Sequence, residues 1–272
     1  GRGAFGTVYI CRNNNGNRVV LKQIVVGHLK EKELKDTEDE VKIMSSLNHP
    51  NVIKYIHSFL NDDCLVIIME YATKGTLNDY LNQQKGKLLS QEKILHIFGQ
   101  LCLALQYLHS KNILHRDITT NNILLTGCYQ HVIKLSDFGL SKVLSSKSRN
   151  SSLVGTPCYL SPELCQGRAY GIHSDIWALG CVLYNMCTLK QAFQAQSLAS
   201  LVFNIMHGEL QPIDSKEYSS GLMEILQVLL DRDPLNRPTT TGLIGHPLLT
   251  LTIYNITTNL SSVNKEHIDI LN

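Results

Sequence analysis

Two polar motifs in fixed order limit what this chain can become. His115-Arg116-Asp117-Ile118-Thr119-Thr120-Asn121-Asn122 is followed by Asp137-Phe138-Gly139, which begins twenty residues after Asp117. Phosphoryl transfer needs a carboxylate beside the attacking hydroxyl, and oxygen ligands for a Mg²⁺ ion that bridges nucleotide phosphates. Asp117 suits the first role; Asn122 and Asp137 suit the second. The competing reading, a coincidence of unrelated polar loops at these spacings, must also explain the two signals upstream.

The first of these is Gly1-Arg2-Gly3-Ala4-Phe5-Gly6-Thr7-Val8, a GxGxxGxV run. Glycines at Gly1, Gly3 and Gly6 let backbone N–H groups approach phosphate oxygens with no Cβ in the way. The same glycine pattern opens dinucleotide-binding folds, where a helix follows it at once; Thr7-Val8-Tyr9-Ile10 favours a strand, hence a hairpin. The second is Lys22, an ammonium in the apolar strand Val19-Val20-Leu21-Lys22, which must find an anion or reach water. Glu40, on a charged helical segment, is the expected partner, fixing Lys22 against the α- and β-phosphates. Taken singly, each of these charges is more often a solvated surface group.

The β-branched runs Thr7 to Ile10, Val19 to Val26 and Leu65 to Met69 predict strands. Glu31 to Leu47, with apolar Leu34, Val41, Met44 and Leu47, predicts the one helix among them. A Gly-containing segment from Thr73 to Thr76 separates this sheet half from a helical half. There, Ser90 caps a helix with a stripe of Ile94, Ile97, Phe98, Leu101, Leu105 and Leu108, and a second helix is expected from Asp175 to Leu189. Helical signals fade from Leu251, which predicts a linker, or the start of a following domain, over 251–272. The net charge of +2 supplies no one-signed field for nucleic acid or an anionic membrane surface. Eight cysteines without a CxxC pair suggest neither zinc nor a disulfide framework, and fit a reducing compartment. No apolar run approaches the ~20 residues a membrane-crossing helix needs.

Together the motifs resemble the eukaryotic protein kinase domain, from Gly1 to about Leu249. The resemblance implies an α+β, bilobal fold: a small antiparallel β-sheet lobe with one helix over 1–72, and a larger, mainly helical lobe over 73–250. The first strand then lacks its upstream half. ATP and Mg²⁺ are implied, with Gly1, Gly3, Gly6, Val8, Val20, Lys22, Met69, Glu70, Ala72 and Asp137 around the nucleotide; Met69 guards the pocket and Glu70-Tyr71-Ala72 form the hinge. Ser161-Pro162-Glu163 matches the family's APE segment, its Glu163 pairing with Arg237, and Asp175 holds the catalytic-loop backbone. Gly155-Thr156-Pro157-Cys158-Tyr159 is similar to the signature of kinases that act on serine and threonine, and Leu140 goes with serine as acceptor. Leu153 to Pro157 and Ser161 to Gly167 resemble the NIMA-related branch, in particular its member with RCC1-like repeats. That likeness implies a mitotic, centrosomal or ciliary role, a location in cytoplasm, centrosome, cilium or nucleus, and repeats beyond Asn272. It also implies an activation loop whose Ser151, Ser152 or Thr156 is phosphorylated by another kinase or by itself, with Arg116 as the receiving cation.

The resemblance breaks at Thr119, where the family has a lysine that touches the γ-phosphate, and Asn121 is not the arginine that tyrosine kinases use instead. Slowed transfer is expected; a kinase-fold scaffold without turnover is the alternative. Val20, in place of a common alanine, narrows the roof of the adenine pocket.

Overall fold

The computed structural model describes residues 2–3, 6–127, 132–137, 157–213 and 216–268, of which 2–3 and 259–268 are described by their backbone alone. Five antiparallel strands form one sheet in the order β1-β2-β3-β5-β4: β1 (Arg2–Gly3), β2 (Gly6–Arg12), β3 (Arg18–Val25), β4 (Tyr55–Asn61) and β5 (Cys64–Glu70). A single helix, α1 (Glu31–Ser45), lies between β3 and β4 and turns Thr37, Val41 and Met44 inward. The hairpin reading of the glycine run holds: Gly3 stands opposite Gly6 and Arg2 opposite Thr7. β4 was not foreseen. Its Ile56, Phe59 and Leu60 are all exposed, and a bulge lies between Tyr55 and His57, so no alternation of apolar and polar residues marks it as a strand.

Past β5 the chain becomes helical. Lys74 N–H bonds Leu125 O, and Leu125 N–H bonds Gly75 O, tying the connecting segment to a two-stranded ribbon, β6 (Ile123–Thr126) and β7 (Val132–Leu135). Thr76 then caps α2 (Leu77–Asn82), its hydroxyl accepting Asp79 N–H at 3.0 Å. α3 (Gln91–Ser110) starts at the Ser90 cap, and Ile94, Ile97, Phe98, Leu101, Leu105 and Leu108 are fully buried, as their spacing predicts. Each such side chain contributes roughly 1.5–3 kcal/mol on leaving water. After the short α4 (Pro162–Cys165), α5 (Ile172–Thr188) is buried on all sides from Ser174 to Cys187, with Trp177 stacked on Phe193 at 5.4 Å. α6 (Leu198–His207), α7 (Ser220–Leu229) and α8 (Thr240–Ile244) complete the helical part. Mixed strand and helix, segregated along the chain, make this an α+β fold.

One expectation needs correction. The linker predicted from Leu251 begins instead as α9 (Pro247–Ile268). Its Thr- and Asn-rich sequence has poor helix propensity, but packing overrides it: Ile256 is 2% exposed. Ile253 and Ile256 fill a notch on α3 made by Gly99, where an added Cβ would lie 3.2 and 3.0 Å from their Cδ1 atoms.

Candidate active site

Gly6 shows why the glycine turn is built as it is. Its φ is +144°, and an added Cβ would lie 2.1 Å from the carbonyl oxygen of Gln23 in β3. Gly6→Ala is therefore expected to force β2 off β3 and cost about 1–3 kcal/mol, measurable as a lowered Tm. Across the β2–β3 ladder Val8 stands opposite Lys22 and Ile10 opposite Val20; across β3–β5, Val20 faces Met69. Met69 is buried, and Val20, Glu70 and Ala72 are half-buried. Gly1 lies outside the described residues, as do Leu140, Ser151, Ser152 and Thr156, so the expectations attached to them have no structural counterpart.

Lys22 is 5% exposed and needs an anion. It meets Asp137 Oδ1 at 2.5 Å. Asp137, the second residue beyond β7, has φ +61°, and its carboxylate is presented to the buried ammonium. Glu40 stays half-buried on α1.

Asn122 faces the same region. Its Nδ2 donates to Asp117 O at 2.8 Å and to Asp117 Oδ2 at 2.7 Å. Ser136, next to Asp137, donates to Asn122 O twice, from its N–H at 2.9 Å and its hydroxyl at 3.0 Å. The motif residues 117, 122 and 137 are thus linked through short bonds. Asp117 has its pKa raised, chiefly by burial, with the charge of Asp137 adding to the effect and the Asn122 hydrogen bond opposing it. The donor set fits a hard cation. The amide nitrogen of Asn122 is committed to Asp117, which leaves its oxygen, with the carboxylate of Asp137, as the ligands Mg²⁺ prefers.

The loop carrying Asp117 hangs on Asp175. This fully buried carboxylate accepts the N–H groups of His115 and Arg116, both at 3.0 Å, together with His109 Nε2 at 2.8 Å and the Tyr170 hydroxyl at 2.5 Å. Burial pushes the pKa of Asp175 up, but the hydrogen bonds from His109 and Tyr170 and the field of His115 outweigh it, so the carboxyl titrates below its ordinary range. These bonds hold Arg116 at φ +70°, a backbone that costs a non-glycine residue roughly 1–3 kcal/mol. Farther out, Arg237 grips Glu163 with two parallel bonds of 2.9 and 2.8 Å, and Ser174 Oγ donates to Glu163 at 2.6 Å. Burial alone would raise the Glu163 pKa; Arg237 and Ser174 reverse the sign and bring it to about 2.

Thr119 is buried, 3% exposed, and its carbonyl accepts Asn122 N–H at 3.1 Å. Its neighbour Thr120 bridges elements: its Oγ1 lies 3.1 Å from the Tyr159 hydroxyl, and its carbonyl accepts Asn78 N–H from α2 at 3.0 Å. His109, Tyr170, Ser136 and Ser174 escaped the sequence reading because no motif marks them, and Thr120 did so because its place inside the 115–122 motif carries no catalytic role. A sixth residue had a signal. Gln100 interrupts the apolar stripe of α3, and it accepts from Asn51 Nδ2 at 2.8 Å and Ile133 N–H at 3.1 Å.

Comparison with known proteins agrees with this geometry. The family model described as the protein kinase domain matches residues 1–249. Serine/threonine-protein kinase Nek8 of Danio rerio is 44% identical over 270 residues, which cover 99% of this chain and 38% of that protein. Serine/threonine-protein kinase nekl-2 of Caenorhabditis elegans is 38% identical over 259 residues, 92% of this chain and 72% of the relative. Serine/threonine-protein kinase Nek1 of Mus musculus is 40% identical over 246 residues, 90% of this chain and 20% of the relative. The chain therefore spans well under half of Nek8 and a fifth of Nek1. A match that runs almost end to end, repeated in a fish, a nematode and a mouse, leaves one assignment: the chain belongs to the protein kinase family, in its NIMA-related serine/threonine branch.

Proposed function

We propose that this chain transfers the γ-phosphoryl group of ATP to serine or threonine hydroxyls of proteins. The observation that carries the reading is the convergence of two pairs, Lys22–Asp137 at 2.5 Å and Asn122–Asp117 at 2.7 and 2.8 Å, tied together through Ser136, the neighbour of Asp137, at 2.9 and 3.0 Å from Asn122 O. Lys22 and the glycine turn orient the phosphates, and the backbone after Met69 receives the adenine. Asp117, its carboxylate steadied by Asn122, accepts or orients the hydroxyl that attacks. Asp137 and Asn122 would hold Mg²⁺, which neutralises charge on the phosphates. The test is transfer of labelled phosphate from Mg-ATP to serine and threonine peptides, with an Asp117→Asn protein as the blank; a wild type no better than the blank defeats the reading. A second reading, a nucleotide-binding scaffold, rests on Thr119 alone, and no other described feature favours it.

Thr119 gives a sharper expectation. With no lysine two residues after Asp117, one cation is missing from the transition state, and a single preorganised donor is worth roughly 10²–10³ in rate. Thr119→Lys inserts the charge without the packing that would preorganise it, so kcat is expected to rise about tenfold rather than a thousandfold, read in the same assay. A centrosomal or ciliary setting and RCC1-like repeats beyond Asn272 belong to the proposal, and rest on the resemblance to the NIMA-related branch. Among the described residues, no helix is long and apolar enough to cross a membrane.

A further inference from the structure

The end of β5 that leads into the expected hinge carries an ion pair for which the phosphate chemistry has no use. Lys134 of β7 reaches Glu70, the last residue of β5, with Nζ 2.8 Å from Oε1. The same oxygen accepts the backbone N–H of Lys54 at 2.7 Å, and the N–H of Glu70 returns to Lys54 O at 3.0 Å. One carboxylate thus joins the end of β5, the entry to β4 and the ribbon strand β7. The side chains of Lys134 and Glu70 are 15% and 29% exposed, so the pair is shielded from the full screening of water.

β7 is fastened to the same loop along its length. Leu135 N–H bonds Asn51 O and Ile53 N–H bonds Leu135 O, each at 2.9 Å, and Asn51 Nδ2 donates to Ile133 O at 3.1 Å. Three residues beyond Lys134 the chain delivers Asp137 to Lys22. Two ion pairs therefore cross from the sheet to this one stretch of chain, Lys22–Asp137 at the phosphate end and Glu70–Lys134 at the hinge end.

We propose that Lys134 is a positioning residue for the nucleotide: by anchoring Glu70 it fixes the hinge backbone after Met69 and, with the Lys22–Asp137 contact, sets the spacing between the sheet and residues 134–137. This rests on the kinase reading given above. A backbone that must meet the adenine edge binds more tightly when its position is set beforehand, because less ordering is left to be done on binding.

The decisive experiment compares wild type with Lys134→Met, which keeps the apolar stem and removes the charge, and with Lys134→Arg. Three quantities are read: Kd for Mg-ADP by calorimetry, KM for ATP against kcat, and amide exchange at Lys54 and Glu70. Lys134→Met is expected to weaken Mg-ADP binding and raise KM for ATP about threefold to tenfold, with kcat within about twofold, as lost preorganisation predicts. Exchange at the two amides should quicken, and Lys134→Arg should restore all three. Glu70→Gln should give a similar Kd, and the double variant should be no weaker than either single one, since the two residues act as one unit. A lowered Tm with unchanged Kd and KM would make Lys134 a simple brace and overturn the proposal; so would a raised kcat at constant KM. A wild type that binds Mg-ADP but transfers no phosphate refutes the catalytic reading alone, and the Kd comparison still decides the role of Lys134.

Discussion

Asp117→Asn is expected to lower kcat by about 10²–10⁴, the usual contribution of a positioned general base, while nucleotide binding stays near the wild-type value. The substitution is nearly isosteric, and the backbone bond from Asn122 Nδ2 to the carbonyl of residue 117 does not depend on the side chain. What disappears is the proton acceptor. Burial already raises the Asp117 pKa above that of an ordinary aspartate, which brings its basicity closer to what is needed to take a proton from a hydroxyl near neutral pH. Peptide phosphorylation with Mg-ATP measures the loss, and calorimetry with Mg-ADP shows whether the site remains formed. Equal rates in the two proteins would remove Asp117 from the chemistry.

The second large effect concerns stability. Arg237→Ala is expected to cost about 3–5 kcal/mol, because it leaves the carboxylate of Glu163 buried without its cation. The loss reaches further than one pair. Arg237 also donates to His173 O at 2.7 Å and Asp231 O at 2.8 Å, and lies over the Trp177 ring at 5.0 Å. The pH dependence follows from the sign of the Glu163 shift. Its folded pKa of about 2 lies below the ordinary 4.5, so the contribution is complete above pH 4.5 and fades as pH falls toward 2. Urea unfolding of wild type and variant at pH 7 and again near pH 3 should give a gap that narrows in acid. A gap independent of pH would mean that the lost packing on Trp177, rather than the charge, had set the cost. Replacing both Arg237 and Glu163 by apolar residues of similar size should recover part of the stability, since no buried charge is then left unpaired.

The chemistry was legible in the sequence because it demands particular side chains at particular chain spacings. Asp117, Asn122 and Asp137 could be named from order alone, and the structure brings them into one network. The long apolar stripe of α3 was legible for a similar reason, since only one helical face satisfies it. Partnership was harder to read. The contact of Lys22 with Asp137 was not offered by spacing, since the fold brings that carboxylate to the buried ammonium across 115 residues of chain. The supports of Asp175 were invisible for the same cause: His109 lies 66 residues before it, and a histidine near a helix end looks like any other. β4 escaped because it exposes its apolar side chains, and α9 because its helicity comes from its neighbour rather than from its own sequence.

That last feature bears on how the protein is prepared in the laboratory. The family match ends at residue 249, and a clone trimmed there would discard Ile253 and Ile256 and strip the cover from the Gly99 notch. The bared channel on α3 would offer oily surface to any passing chain, so the sensible place to cut is beyond the last turn that touches it.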